Sequence, residues 1–553
     1  MTTATEPRVL QTLDGAPWDI EAYLKIGGYE AWKKCVKELS AHDIVNELKK
    51  AGLRGRGGAG FPTGIKWEKV LNHRVKEHYF VCNAGEHEPG TFKDRHLLKL
   101  APHQLIEGCL IGAYTVQAKA AFIYVNHEYH EERENLRKAL AQAKERGFVG
   151  KNVLGSGMDL DLQVFEGHGS YVAGEETAML ESMQGRPAMP RQKPPFYPTD
   201  FGLYGKPTLV NNVETLCNIP RIILKGAAWF TQVGTEKCPG TMMFSLSGAV
   251  NRPGVYERPM GITIRELIET CGGGVPGGRK IKAVFPGGPA FSMVTADQLD
   301  LTMDFDSLKK AGTGLGSAGM IVVDDATCMV AQTLKFSNFF KDESCGQCPP
   351  CRMGTINLAA LMTKIEQGEG TEKDMDSLLQ LCGFVKGTGY CTLVTGAAVL
   401  VQSSIKLFRH EFEEHIRLQR CPYQPVAAGV TAHGEGFAMP RVTFLHPDGK
   451  SGEVEANTSL LEASKVLGFV LNNDCGGNAS CTTCRVEVQM GAENLSEIDF
   501  DEQDLLDREA LSEPWHRLGC QAKVLGDVLV RVPEGKWVAP TTTQVESQGI
   551  EIR

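Results

Sequence analysis

Two sets of cysteines in the second half of the chain have spacings that suit iron–sulfur clusters. In chain order they are Cys345-x2-Cys348-x2-Cys351 with Cys391 downstream, and Cys475-x5-Cys481-x2-Cys484 with Cys520 downstream. In each set, three closely spaced thiolates let one loop wrap most of a cluster, while a distant fourth thiolate closes it. The spacing therefore predicts two clusters with four cysteine ligands each, and electron transfer as their chemistry.

A disulfide framework is the alternative explanation for so many cysteines. The chain contains 17 of them. Residues 1–17 have neither a basic start nor an apolar core, so we expect no secretory signal and reduced thiols. Cysteines outside the two sets, such as Cys35, Cys109 and Cys217, lie in apolar surroundings and are predicted to be reduced core thiols.

Length and charge limit the class of protein. A chain of 553 residues with 42% hydrophobic side chains is predicted to hold about three to five domains. Its net charge of −9 disfavours nucleic-acid binding, because phosphate neutralisation requires clustered Lys and Arg. No stretch approaches the ~20 uninterrupted apolar residues of a membrane span. We therefore expect a cytoplasmic protein that attaches to membranes only through partners.

Hydrophobic periodicity divides the chain into four domains and a linker. Alternating helical and strand-like segments predict an α/β domain first. Short β runs, Gly/Pro turns and one helix at 264–270 predict a small ubiquitin-like α+β domain, and apolar stripes around the first cysteine set predict a helical bundle. A Pro- and Gly-rich linker and a hairpin-led domain follow. The predicted boundaries are 1–240, 241–327, 328–420, 421–440 and 441–553.

A first glycine-rich loop spans 55–60 and satisfies the G-x-G-x-x-G pattern. The dinucleotide fingerprint leaves a strand, whereas this loop is predicted to leave a helix that begins at Ser40 and ends at Gly52. Glycines still let backbone N–H groups approach a phosphate or a flat ring, and Arg54, Arg56 and Lys66 add positive charge. A purely structural turn remains the alternative.

A second glycine-rich loop spans 167–177, after a predicted strand and before a predicted helix. It ends in Glu175 and Glu176. A carboxylate at a helix start usually caps the helix or interacts with its dipole, and we expect this of one of the two. The other could accept hydrogen bonds from ribose hydroxyls.

Six motifs resemble the NADH-binding flavoprotein subunit of respiratory complex I and its relatives in NAD-linked hydrogenases and formate dehydrogenases. They are 55–67 (GRGGAGFPTGIKW), 82–95 (CNAGEHEPGTFKDR), 171–178 (YVAGEETA), 193–196 (KPPF), 202–216 (GLYGKPTLVNNVETL) and 343–354 (ESCGQCPPCRMG). This resemblance covers residues of about 30 to 420. The tail resembles a [2Fe–2S] ferredoxin of the adrenodoxin-like kind, because its C-x5-C-x2-C spacing differs from the plant C-x4-C spacing.

The resemblance implies both the fold and the activity. It implies a Rossmann-like FMN/NADH domain, an SLBB-type ubiquitin-like domain, a helical-bundle [4Fe–4S] domain and a β-grasp [2Fe–2S] ferredoxin domain. NADH is expected to pass a hydride to FMN, and electrons then pass singly to the [4Fe–4S] cluster and towards the [2Fe–2S] cluster or a partner. Expected partners are a thioredoxin-like [2Fe–2S] subunit and a larger subunit of a formate dehydrogenase, hydrogenase, complex I or reductase.

The resemblance also assigns cofactor contacts. Glu88 is expected beside the nicotinamide of NADH. Glu175 and Glu176 are expected near the ribose hydroxyls and the flavin, where a carboxylate disfavours the extra phosphate of NADPH. The residues implied at the adenine end are Phe61, Lys193 and Phe196. The residues implied at the flavin are Gly55, Gly57, Gly58, Lys66, Asn83, Glu86, Tyr171, Gly174, Val210, Asn211, Asn212 and Thr215. Cys391, rather than Cys382, is implied as the last ligand of the first cluster.

Two departures from the family pattern concern the flavin. Gly85 follows Asn83-Ala84 where the family commonly has an acid, and His87 stands where Ser or Gly is usual. A lost carboxylate changes the potential or the reactivity of a flavin. The alternative function is therefore a non-catalytic iron–sulfur relay or scaffold subunit with a degraded flavin site.

An acidic segment lies between the last two cysteines of the second set. Residues 493–513 contain nine acidic side chains and a single basic one, Arg508. The segment is either a solvated helix or a docking face for a basic partner, with Asp501, Glu502 and Asp504 as the expected docking residues.

Overall fold

A computed structural model describes residues 7–10, 13–423, 440–445, 449–454, 457–475, 481–509, 511, 513, 515–533 and 537–538. The chain divides into two compact units, Met1–Gln424 and Pro425–Arg553. Among the described residues, no helix has the length and apolar character needed to cross a membrane.

The first unit begins with a four-stranded parallel sheet in the order β3-β2-β1-β4. Both faces of this sheet are apolar, as parallel sheets covered by helices require. Phe80 and Cys82 of β1 join one core, whereas Tyr79 and Val81 join a second core on the opposite face. The strands are β1 (His78–Ala84), β2 (Ala118–Val125), β3 (Leu162–Glu166) and β4 (Thr208–Asn212).

In the described part of this domain, eleven α-helices accompany the sheet. The helix predicted between Ser40 and Gly52 is present: Ser40 and Asp43 form a reciprocal capping box, and Gly52 ends the helix with φ of +63°. The helices are α1 (Ile20–Lys25), α2 (Glu30–Glu38), α3 (Ala41–Ala51), α4 (Thr63–Leu71), α5 (Lys93–Leu100), α6 (Pro102–Thr115), α7 (His130–Glu145), α8 (Glu176–Met183), α9 (Pro198–Phe201), α10 (Val213–Lys225) and α11 (Ala227–Phe230).

A five-stranded mixed sheet follows, in the order β6-β5-β9-β7-β8. The strands are β5 (Thr241–Gly248), β6 (Gly254–Pro259), β7 (Ile281–Phe285), β8 (Val294–Thr295) and β9 (Gly319–Asp324). The helix predicted at 264–270 begins as α12 (Ile264–Glu266) and continues as a π-helical turn over Leu267–Cys271. With α13 (Phe305–Lys310), it packs on the sheet around a separate apolar core.

Four helices complete the first unit and form a bundle. They are α14 (Met329–Asp342), α15 (Pro349–Glu366), α16 (Glu372–Val385) and α17 (Leu393–Leu418). Leu358, Ile365 and Leu378 from the predicted apolar stripes are buried in the bundle core. The core extends beyond α17, because Cys421 is also buried in it.

The second unit contains a five-stranded mixed sheet in the order β11-β10-β15-β13-β14 and a small two-stranded sheet. The predicted hairpin and helix are present, although its turn residue Asp448 lies outside the described residues. The elements are β10 (Arg441–Phe444), β11 (Ser451–Glu453), α18 (Leu460–Val466), β12 (Val470–Leu471), β13 (Arg485–Met490), α19 (Phe500–Arg508), β14 (His516–Leu518), β15 (Val528–Arg531) and β16 (Trp537–Val538).

The expected docking role of Glu502 is wrong. Its side chain is fully buried and forms a two-pronged ion pair with Arg517, with both N–O distances 3.0 Å. It also accepts a hydrogen bond from the backbone amide of Leu518. Glu502 therefore anchors α19 to β14. Exposed carboxylates of the same helix, Asp504 and Asp507, remain on the surface.

Candidate cofactor-binding and electron-transfer site

The first glycine loop joins α3 to α4 and is held from both sides. The amide of Gly55 donates to the carbonyl of Phe61 at 2.8 Å, and the amide of Arg56 donates to the Thr215 hydroxyl at 2.9 Å. A Cβ at Gly57 would lie only 2.9 Å from that of Asn212, so a side chain does not fit there. Gly58 has φ of +126° and faces open space. The loop thus presents bare backbone at Gly58, where a flat or anionic group can approach.

The carboxyl ends of β1 and β4 lie side by side next to this loop. Asn83 and Asn212 are paired across the two strands, and ligands of open parallel sheets bind in the crevice at such strand ends. The Asn83 side-chain amide donates to the carbonyl of Gly174 at 2.8 Å. Asn211 accepts from the indole of Trp67 at 2.8 Å. Val210 is buried in the core, so only its backbone can face the crevice.

A buried charge network supports the crevice from below. Lys93 is fully buried, with its ammonium 2.7 Å from Asp94 and 3.1 Å from Glu214. Burial lowers the pKa of Lys93, but these two carboxylates outweigh it and raise the pKa above its ordinary value. Asn212 donates to Asp94, and this contact ties the crevice to the network. Lys93 is therefore a charged anchor for this strand end.

The second glycine loop forms a 3₁₀ turn at Tyr171–Gly174 and then enters α8. Glu175 caps α8, because its carboxylate accepts from the amides of Thr177 and Ala178, both at 2.9 Å. It also lies 2.5 Å from the Lys193 ammonium. The expectation that one of the two glutamates caps the helix is thus met by Glu175.

Glu176 lies between two lysines. Its carboxylate is 3.1 Å from the Lys66 ammonium and 3.5 Å from that of Lys193. Burial raises the pKa of Glu176, but the two ammonium groups outweigh it and lower the pKa below its ordinary value. Glu176 is therefore ionised at neutral pH. Helix α4, the second loop and the 193–196 motif meet at this cluster.

Two aromatic side chains near the cleft are exposed. Phe61 is 53% exposed and Phe196 is 44% exposed. Phe196 packs edge-on against Phe201, with ring centroids 5.8 Å apart. Both rings offer an apolar face on which a planar group can stack.

The residues that follow β1 have different roles. The Glu86 carboxylate accepts from the amides of Asp94 and Arg95 at the start of α5, and burial raises the pKa of Glu86 to about 8. Glu86 therefore positions α5. A Cβ at Gly174 would lie only 2.6 Å from the carbonyl oxygen of Gly85, so glycine at 174 permits a close approach of the two segments. Burial lowers the pKa of His87.

A hydrogen bond between Glu88 and Tyr171 joins the segment after β1 to the second glycine loop. The Tyr171 hydroxyl donates to Glu88 Oε2 at 2.6 Å, and Glu88 Oε1 is buried. Burial raises the pKa of Glu88 to about 7, although hydrogen bonds from Tyr171 and the backbone of Ala290 oppose the rise. A carboxyl group that titrates near neutral pH is typical of a functional site.

The first cysteine set lines one cavity. Pro349 starts α15 directly after Cys348, and Cys351 follows within the first turn, so the local fold points these thiols to one place. Cys382 is buried on α16 in the bundle core. The cavity is lined by Val172, Pro190, Cys345, Cys348, Cys351, Gly389, Tyr390, Cys391 and Leu393. The predicted four cysteines therefore converge, whereas Cys382 packs elsewhere.

The second glycine loop also reaches this cavity. Val172 lines it, and the amide of Tyr171 donates to the Glu343 carboxylate at 2.8 Å, two residues before Cys345. Burial raises the pKa of Cys391 to about 11. The amide of Tyr390 lies 3.4 Å from the sulfur of Cys348. Four soft donors with a nearby backbone amide suit an iron–sulfur cluster.

All four cysteines of the second set are described, whereas residues 476–480 between the first two lie outside the described residues. The Cys520 thiol, by its contact with Cys484, and burial raise the pKa of Cys484. The amide of Gly519 donates to the Cys484 carbonyl at 3.0 Å. The Cys481 sulfur lies 3.0 Å from the Thr483 hydroxyl. The fold thus brings the distant Cys520 to the C-x2-C pair.

Several residues that support the site were missed from the sequence. They are Lys93, Asp94, Glu214 and Glu343. All four lie inside the six motifs, so motif membership was an available signal. Their role was not visible because it depends on contacts between motifs that are far apart in the chain.

Comparisons with known proteins agree with this domain order. The matching family models are the Nuo51 FMN-binding domain (residues 48–221), the SLBB domain (243–293), the NADH-ubiquinone oxidoreductase-F iron-sulfur binding region (331–415) and the 2Fe-2S iron-sulfur cluster binding domain (445–525). These matches confirm the predicted fold class and the predicted FMN, [4Fe–4S] and [2Fe–2S] cofactors.

Relatives that match about three quarters of this chain point the same way. An NADH-quinone oxidoreductase F subunit of Rhizobium meliloti is 46% identical over 76% of this chain and 99% of its own length. The NADH-quinone oxidoreductase F subunit of Escherichia coli is 45% identical over 73% of this chain and 91% of its own length.

A solved structure extends this likeness to the fold. One chain of an NAD+-reducing [NiFe]-hydrogenase in its H2-reduced state has a TM-score of 0.64 and 34% identity, over 73% of this chain and 66% of that chain. This match and the relatives confirm the identification made from the six motifs. The chain belongs to the family of NADH-quinone oxidoreductase F subunits and carries, in addition, a ferredoxin-type 2Fe–2S domain.

Proposed function

We propose that this protein oxidises NADH at a bound flavin and delivers the electrons through its iron–sulfur clusters to a partner subunit. The observation that carries the proposal is the position of the Tyr171–Gly174 turn. At one end, Gly174 accepts a hydrogen bond from Asn83 at the strand-end crevice, and at the other, Val172 lines the four-cysteine cavity. A single turn therefore separates the candidate flavin site from the candidate cluster site.

The crevice fits FMN. Gly58 leaves room for a planar group or a phosphate, and the asparagine side chains at the strand ends offer polar contacts. When bound, FMN accepts a hydride from NADH and releases the electrons one at a time. The protein supplies the orientation of the two rings and excludes water. The buried network around Lys93 holds the crevice in shape.

NADH is proposed to bind at the exposed side of the strand-end crevice. The exposed rings of Phe61 and Phe196 are proposed to stack on the adenine, and Glu88 is proposed to lie on the nicotinamide side. We assign Glu176 to the ribose. Because Glu175 is committed to capping α8, we assign the discrimination against NADPH to Glu176.

The cysteine sets are proposed to hold the two clusters. Cys345, Cys348, Cys351 and Cys391 converge on one cavity, and their sulfurs match the soft ligands that iron–sulfur clusters require. Cys475, Cys481, Cys484 and Cys520 are the proposed ligands of the [2Fe–2S] cluster. Because burial raises the pKa of Cys391, cluster assembly must displace the thiol proton.

The electrons are proposed to leave through other subunits. A thioredoxin-like [2Fe–2S] subunit and a larger catalytic or iron–sulfur subunit are the partners, and any membrane association of the protein runs through them. The exposed acidic face of α19, which includes Asp504 and Asp507, is the proposed contact for a basic partner surface.

Truncation after Tyr423 tests this route. The shortened protein should keep NADH-dependent dye reduction but lose electron transfer to its natural partner, because all flavin motifs precede the cut. Reversing the charge of Asp504 and Asp507 in the full chain should weaken that transfer most at low salt. Full-rate transfer by the truncated protein would show that the [2Fe–2S] cluster is a side branch.

The alternative is a relay subunit with a degraded flavin site, suggested by Gly85. In the structure, Gly85 packs closely on Gly174, and the Asn83 contact to the same residue is kept. This favours an intact site. Denaturing the purified protein should release FMN, and the native protein should reduce a dye with NADH. Absence of both signals would establish the relay function instead.

A further inference from the structure

Outside the cofactor sites, three metal-binding side chains converge in the helical bundle. They are Cys328, His415 and Cys421, all buried, and their ligand atoms lie within 4.8 Å of one another. The Cys328 sulfur and His415 Nε2 are 3.4 Å apart. The described cluster contacts involve other cysteines, so this group has no part in the electron route proposed above.

Two of the donors are oriented by hydrogen bonds from the fold. His415 Nδ1 lies 2.6 Å from the carbonyl oxygen of Glu411, so it donates its proton there and the lone pair of Nε2 points to the Cys328 side. Cys328 is the N-cap of α14, and its sulfur accepts from the amide of Ala331 at 3.3 Å.

We propose that Cys328, His415 and Cys421 bind a Zn²⁺ ion, with a water molecule as the fourth ligand. Two thiolates and one imidazole are donors that suit zinc, whereas Mg²⁺ and Ca²⁺ prefer oxygen. Tetrahedral bonds of ~2.3 Å to sulfur and ~2.0 Å to nitrogen place the sulfur and the nitrogen about 3.5 Å apart. The observed Cys328–His415 separation of 3.4 Å is close to this value.

Another cluster of residues that could bind a metal lies in the first unit, but an arginine already contacts it. Cys238, Asp304 and Asp306 also lie within 4.8 Å of one another. There, the Arg54 guanidinium is 3.3 Å from the Cys238 sulfur and 2.8 Å from Asp306, so a side-chain cation already neutralises the group.

Lys282 packs near the proposed zinc site, but its ammonium group contacts residues other than the three proposed ligands. Lys282 lies 2.6 Å from the Glu411 carboxylate, 2.6 Å from the Thr327 carbonyl and 2.8 Å from the Tyr423 hydroxyl. The Glu411 carboxylate also accepts from the amide of Met329. The charge of Lys282 is thereby balanced by Glu411, and the soft donors beside them remain for a metal ion.

The position of the site gives the ion a structural role. It joins the start of α14 to the end of α17 and to Cys421, which lies close in sequence to Gln424, where the first compact unit ends. Lys282 of β7 adds the neighbouring sheet through its ion pair with Glu411. A bound ion would therefore hold the chain in place where it leaves the bundle towards the ferredoxin domain.

Metal analysis of the full-length protein, purified with its clusters and without added chelator, tests the proposal. Elemental mass spectrometry should find about one zinc per chain in addition to the iron. X-ray absorption at the zinc edge should show two sulfur neighbours per zinc at ~2.3 Å. Cys421→Ser should lose the zinc and keep the iron and the visible cluster spectrum. Cys382→Ser removes another buried thiol of the same bundle and should keep the zinc.

Several results would overturn the proposal. They are wild-type protein without zinc, zinc that is retained at full occupancy in Cys421→Ser, and zinc lost equally from Cys382→Ser. A disulfide between Cys328 and Cys421, found by peptide mapping after thiol alkylation, would also exclude the metal. If Cys421→Ser is insoluble, the zinc content and the sulfur count of the wild-type protein decide the question.

Discussion

Replacing Tyr171 with Phe should change how the affinity for NAD+ depends on pH. The Tyr171 hydroxyl donates to Glu88 at 2.6 Å, and burial raises the pKa of Glu88 to about 7. This hydrogen bond favours the charged carboxylate, so its loss raises the pKa further. The Phe ring keeps the edge-on contact with Phe339, whose centroid lies 5.2 Å away, so packing should change little.

The size of the shift follows from the strength of the lost bond. A hydrogen bond to a charged group contributes about 1.5–3 kcal/mol, and one pKa unit corresponds to about 1.4 kcal/mol. The pKa of Glu88 should therefore rise by about one to two units in the variant. The oxidised nicotinamide is positively charged, so ionised Glu88 would attract it from the proposed place of this side chain beside the nicotinamide. Affinity for NAD+ should increase as the pH rises through the pKa of Glu88, and this increase should occur at higher pH in Tyr171→Phe.

Inhibition of NADH-dependent dye reduction by NAD+ measures this affinity across the pH range in which Glu88 titrates. Tyr204→Phe removes an exposed hydroxyl of the same domain and should follow the wild-type curve. The reasoning is refuted if the wild-type affinity is independent of pH, or if the curves of Tyr171→Phe and wild type coincide.

Three further outcomes are expected. Cys391→Ser should lose the iron of the [4Fe–4S] cluster, whereas Cys382→Ser should keep it; iron analysis that finds the loss only in the second variant would reverse the assignment. Lys93→Met leaves two buried carboxylates unpaired and should destabilise the flavin domain by about 3–5 kcal/mol, against at most about 1 kcal/mol for the exposed Lys99→Met, as measured by denaturant unfolding. Glu176→Gln should raise the catalytic efficiency with NADPH relative to NADH; an unchanged ratio would limit Glu176 to its lysine contacts.

Much of the candidate site could be predicted because its parts are local. The capping box at Ser40 and the left-handed Gly52 define α3 within a few residues, so the helix before the first glycine loop followed from residue types alone. The second glycine loop was predicted to lead into a helix capped by one of two glutamates, and Glu175 does so. Which glutamate caps could not be predicted, because both stand at the helix start.

The buried charges were beyond local reasoning. Glu502 looked like a surface residue, because eight neighbouring acidic side chains surround it in a segment with little positive charge. Its partner Arg517 lies on β14, and the two meet only when α19 packs on that strand. An isolated buried carboxylate would be strongly disfavoured, and the ion pair removes that cost.

The chemistry of this protein can be predicted from short stretches of its sequence, because the three closely spaced cysteines of each set and the glycine loops act through neighbouring residues whose separation is set by covalent geometry. Which distant residues meet depends on how the elements pack. Tyr171 contacts both Glu88 and Glu343, and Cys328 contacts His415, only because the helices and loops pack in one particular arrangement. Spacing along the chain carries no information about that arrangement, because the arrangement results from burying the apolar faces of elements that are far apart in sequence.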